Sequence, residues 1–93
     1  MGLSMQVRII VSGYVQGVFF RHSAKQQAEQ LDLVGWVKNN PDGSVEALAQ
    51  GEKKALDDFI NWCKKGPSFA KVEKIEVKWN EKSENYDQFE IIR

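Results

Sequence analysis

The stretch Gly13–Arg21, which reads Gly-Tyr-Val-Gln-Gly-Val-Phe-Phe-Arg, separates two different apolar periods. Upstream, Val7, Ile9 and Val11 alternate, with Ile10 on the other face, so Gln6–Gly13 has the spacing of a β-strand. Downstream, Ala24, Ala28 and Leu31 form a stripe at spacings of four and three, which predicts a helix over Arg21–Asp32. The chain must therefore turn from strand to helix within a few residues, and the glycines supply the conformations such a turn needs.

The same change of period recurs further on. Val34–Asn39 and Ser44–Ala49 read as strands, and Asn40-Pro41-Asp42-Gly43 between them is a strong turn signal for an antiparallel hairpin. Glu52–Lys65 carries Leu56, Phe59, Ile60 and Cys63 on one side of a second helix, with Trp62 at its margin. Lys64 and Lys65 suit that helix's C-terminal dipole, and Gly66-Pro67 stops it. Val72–Trp79 alternates again, a polar turn occupies Asn80–Asn85, and Gln88–Arg93 reads as a last strand with Phe89 and Ile91 inward. The order β-α-β-β-α-β plus one strand predicts an α+β, ferredoxin-like (split β-α-β) fold. Its expected form is a five-stranded antiparallel sheet with two helices on one face.

Ninety-three residues suit a single domain over 1–93, with residues 1–4 a frayed extension ahead of the first strand. Thirteen basic and thirteen acidic residues cancel, which steers the chain toward neither nucleic acid nor an anionic membrane. No segment reaches the roughly twenty apolar residues of a membrane span. The N-terminus lacks a secretory pattern, so the expected location is cytoplasmic. One cysteine, Cys63, excludes an internal disulfide and reads as a buried thiol. The one histidine, His22, reads as a solvated surface residue and cannot build a metal site alone. Trp36, Trp62 and Trp79 read as core or sheet-face residues, and a closed domain of this size is expected to be a monomer.

A glycine turn that opens a helix leaves backbone N–H groups without partners at the positive end of the helix dipole. Such a concavity suits phosphate, and a guanidinium at its edge grips two oxygens of one phosphoryl group. Arg21 stands at that edge. The stretch lacks the Lys-Ser/Thr pair of a Walker loop and the triple-glycine dinucleotide spacing, so a small phosphorylated compound is the better fit. The other reading, a tight turn followed by a solvated arginine, is not decided by spacing alone.

Gly13–Arg21, followed by Leu33-Val-Gly-Trp-Val-Lys-Asn39 and then Asp42-Gly-Ser-Val-Glu46, resembles the acylphosphatase family over nearly the whole chain. Lys64–Pro67 resembles the family's Gly-Pro before the last long strand, and position 19 is Phe where many members have Gly. The resemblance implies the fold already predicted. It also implies metal-independent hydrolysis of small acyl phosphates to carboxylate and inorganic phosphate, with no cofactor. It assigns phosphate binding to Gln16, Gly17, Val18, Phe19, Phe20 and Arg21, and catalysis to Arg21 and Asn39. Asn39 would orient the attacking water, and inorganic phosphate would act as product and competitive inhibitor. From the residues alone Asn39 also fits an ordinary turn position, and Ser44 either braces Asn39 or merely flanks the turn. One alternative is a non-catalytic ferredoxin-like module that binds phosphate or another ligand; a second is an accessory domain resembling the acylphosphatase-like segment of carbamoyltransferase maturation proteins, which handle carbamoyl phosphate. An RNA-binding sheet would need clustered aromatics and a basic surface, and neither is present.

Overall fold

The computed structural model describes residues 5–80 and 84–92; the expected frayed extension at 1–4, part of the turn after Asn80, and Arg93 lie outside them. Seven elements follow in order: β1 (Met5–Tyr14), α1 (Phe20–Gln30), β2 (Val34–Asn39), β3 (Val45–Gly51), α2 (Lys53–Lys65), β4 (Lys71–Asn80) and β5 (Phe89–Ile91). The five strands form one sheet in the order β4-β1-β3-β2-β5. Neither described helix is long and apolar enough to cross a membrane.

The sheet is mixed, which corrects the expectation of a wholly antiparallel one. β1 pairs antiparallel with β3 and β4, and β2 antiparallel with β3, but β5 runs parallel to β2. Connection length gives the reason. Eight residues separate Asn80 from Phe89, a reach of about 27 Å. Crossing from one edge of the sheet to the other takes four strand spacings, about 19 Å. No chain remains for a return along β4, so β5 must enter at the end where β4 stopped. It therefore runs against β4 and alongside β2.

Both helices pack on one face. Val7, Ile9 and Val11 of β1, Val45, Ala47 and Ala49 of β3, Val37 of β2 and Phe89 of β5 are buried there. Ala24 and Ala28 are fully buried against them, the small side chains letting α1 lie close. Leu56, Phe59, Ile60 and Cys63 complete the core from α2, and burial pushes the Cys63 thiol far up, leaving it inert. Phe59 meets the Phe89 ring edge-on at 5.9 Å, which ties β5 to α2.

Trp62 lies 5.3 Å from Phe20, the first residue of α1, so the second helix fixes the start of the first. Gly66, which ends α2 at φ 72°, is part of the same arrangement. A Cβ there would come within 2.8 Å of the Phe20 ring. The glycine thus closes one helix and leaves room for the residue that opens the other. Ile75, Val77 and Trp79 share the core face with β1, as their alternation predicts, yet Val77 and Trp79 are 36% and 39% exposed because β4 is an edge strand.

Candidate active site

β1 ends at Tyr14 and α1 begins at Phe20, so the five residues between them make the turn. Val15 and Val18 are buried and anchor it, whereas Gly17 and Phe19 point outward. Gly17 has φ 75° and Phe19 φ 64°, with Val18 between them outside the left-handed region. Left-handed residues alternating with right-handed ones can turn successive N–H groups toward one side, as in an anion-binding nest. Phe19 is also the N-cap of α1, provides no side-chain cap, and is followed by a first turn without an acidic residue. The helix's leading N–H groups and positive dipole end are therefore free for an anion.

A left-handed conformation costs a residue with a Cβ about 1–2 kcal/mol. Phe19 is 72% exposed, so its ring recovers little of that by burial. Phe19→Gly should stabilise the fold by about 0.5–1 kcal/mol after the extra freedom of unfolded glycine is subtracted. Thermal melting should register a rise of a few degrees; a fall would show that the ring holds the turn.

The turn faces a cleft of about 310 Å³, walled by Val15, Gly17, Phe19 and Phe20 on the loop, Arg21 and His22 in the first turn of α1, Asn39 at the end of β2, and Ile91 of β5. Of the residues expected to bind phosphate, Gly17, Phe19, Phe20 and Arg21 line this space, while Gln16 and Val18 do not. Arg21 is half-buried and makes no ion pair with any described residue. Among the described residues no carboxylate side chain lines the cleft.

Asn39 lies across from the turn, opposite Val45 in the hairpin. Its Oδ1 is buried and accepts no hydrogen bond from the described residues. A buried acceptor left without a donor costs free energy, and the Asn39 side chain belongs to a residue of the cleft wall. Asn40, its neighbour, is differently committed. Its Nδ2 donates to Ser44 Oγ at 3.0 Å and to Glu46 Oε1 at 3.1 Å. Ser44 therefore braces Asn40, not Asn39. The Ser44 hydroxyl in turn donates to Asp42 Oδ1 at 2.6 Å, and the Ser44 amide donates to the same oxygen at 2.9 Å. Those two bonds hold the Asp42 carboxyl below its ordinary range.

Two features of the site were not legible from composition or spacing. Gln16 keeps its side chain out of the cleft and donates from Nε2 to the carbonyls of Asn40 and Ser44, each at 2.8 Å. It ties the turn to the hairpin and so sets the separation of Arg21 from Asn39. His22 is exposed, as expected, but forms part of the cleft wall.

The assembled chemistry is specific. A glycine-containing turn, a helix N-terminus and a guanidinium without an ion pair to any described residue can hold a tetrahedral anion, and a side-chain amide in the same cleft can orient a water beside it. The family model for acylphosphatase matches residues 7–91. An acylphosphatase of Rubrobacter xylanophilus is 49% identical over 86 residues, spanning 92% of this chain and 78% of that protein. The crystal structure of acylphosphatase from Bacillus subtilis superposes with a TM-score of 0.93 at 44% identity, covering 96% of this chain and 99% of that one. Full-length HypF in a phosphate- and nucleotide-bound form contains a similar unit, with TM-score 0.92 and 30% identity, but this chain spans only 12% of it. With the fold, both sequence motifs and these likenesses in agreement, the chain belongs to the acylphosphatase family.

Proposed function

We propose that this chain hydrolyses the carboxyl–phosphate bond of small acyl phosphates by direct attack of water, using Arg21 and Asn39. The observation that carries the reading is one cleft lined by both Arg21, which makes no ion pair with any described residue, and Asn39. Backbone N–H groups of residues 16–20 and the Arg21 guanidinium hold the phosphoryl oxygens and stabilise charge in the transition state. The Asn39 side-chain amide hydrogen-bonds the water and aligns its oxygen with phosphorus. The new oxygen–phosphorus bond forms as the bond to the acyl oxygen breaks, and the carboxylate leaves. Asparagine is no base, so the water's proton passes to a phosphoryl oxygen. An acyl phosphate needs no stronger base, because its leaving group is a stable carboxylate.

The purified chain should turn over an aryl or alkyl acyl phosphate in the presence of a chelator, with inorganic phosphate as a competitive inhibitor. Activity lost on chelation and restored by one divalent metal would contradict the mechanism. A second reading is a phosphate-binding module without turnover, since a similar unit occurs as a segment of HypF, solved in a phosphate- and nucleotide-bound form. Phosphate binding by calorimetry without hydrolysis would select it.

A further inference from the structure

Four residues with apolar side chains line the cleft. Val15 and Phe20 belong to the core and Ile91 is half-buried, whereas Phe19 stands open to solvent. The fold itself does not ask for a phenylalanine there. The ring joins neither the core cluster nor any aromatic pair among the described residues. Its φ of 64° is one that glycine adopts freely and a residue with a Cβ does not. Tyr14 and Phe69 are comparably exposed, but neither lines the cleft and neither has a left-handed backbone. Strain kept at a position where packing does not require it points to a ligand contact.

Given the acyl phosphate hydrolysis proposed above, on which this rests, we propose that Phe19 is a specificity-determining residue. Its ring receives the acyl group, so the site favours acyl phosphates with an aromatic acyl group over those with a short one. The two ends of such a substrate differ in chemistry, and so do the residues around the cleft. The phosphoryl end needs donors and a cation, which the turn and Arg21 supply. The acyl end carries no charge, and the apolar surface left open to it is that of Phe19 with part of Ile91. A flat acyl ring removes apolar area from water on that surface and meets the Phe19 ring in offset or edge-on contact. An acetyl group is too small to cover it. Contact between two such rings is worth about three- to tenfold in affinity. The strained turn residue is then retained for substrate choice and not for stability.

Steady-state kinetics of the intact chain should give benzoyl phosphate a higher kcat/KM than acetyl phosphate, and Phe19→Gly should cut that ratio roughly three- to tenfold. Taking the ratio within each variant cancels any loss common to both substrates, including a shift of the phosphate-binding backbone. Phe19→Asn keeps a Cβ and tolerates the left-handed conformation, and it should cut the ratio equally. Thermal melting confirms that each variant is folded. Calorimetry with phenacylphosphonate and acetonylphosphonate, in which CH2 replaces the bridging oxygen, should show the same preference and the same losses without turnover. A binding preference that depends on Phe19 in a chain that hydrolyses neither acyl phosphate would uphold the subsite and remove the hydrolytic reading. Turnover of both acyl phosphates with a ratio that stays at the wild-type value in either variant overturns the subsite and leaves hydrolysis standing. So does a wild type without preference for the aromatic substrate. A chain that neither binds the phosphonates nor hydrolyses the acyl phosphates overturns both.

Discussion

Arg21→Ala should lower turnover of an acyl phosphate by roughly a thousandfold while leaving the fold intact. Loss of one transition-state donor costs about a hundred- to a thousandfold, and a charged, bidentate donor belongs at the upper end. No carboxylate side chain among the described residues lines the cleft to compete for the guanidinium, which would leave its interaction energy available to a phosphoryl group. Arg21→Lys should recover little, because ammonium keeps the charge and loses the planar fork. Melting should hardly change, since Arg21 is half-buried and without an ion pair to any described residue. Steady-state kinetics, phosphate calorimetry and thermal melting on the same samples check this. A folded variant that binds phosphate and turns over near the wild-type rate would remove Arg21 from the site.

Asn39 and Asn40 should separate cleanly, because their side chains are committed to different things. Asn39→Ala should cost about a hundred- to a thousandfold in kcat, the range for a positioned polar group, with phosphate affinity nearly kept. Its Oδ1 is buried without a partner among the described residues, so removing it should leave stability unchanged or raised. Asn40→Ala should do the opposite. It deletes donations to Ser44 and Glu46, worth about 1 kcal/mol net, and should lower Tm by roughly 4–8 °C with a rate near wild type. Equal kinetic losses at both positions would assign the effect to the turn's shape.

The period of apolar residues made most of the fold legible. Val34–Asn39 read as a strand is β2 to the residue, and the other elements end within a residue or two of their expected limits. The direction of β5 was not legible, because alternation is the same in parallel and antiparallel strands. The exposure of Val77 and Trp79 was hidden for a related reason: alternation tells which face a residue takes, not whether its strand lies at an edge. At the site, Arg21 and Asn39 stood out through motif and resemblance. The tie made by Gln16 could not, since its acceptors are 24 and 28 residues away and depend on how the hairpin meets the turn. The role of Ser44 stayed open in the sequence, because proximity along the chain says nothing about which asparagine a hydroxyl reaches; its partner is Asn40.

The late arrival of β5 has a consequence for how the protein is made. Phe89 belongs to the core and Ile91 to the wall of the cleft, while β1 waits for partners in β3 and β4 far downstream. During synthesis the nascent chain carries the whole anion-binding turn long before it can enclose a substrate. Long-range pairings of this kind close slowly. A nascent chain that still lacks β5 therefore carries the turn without the finished cleft, and competence should appear only once β5 has docked.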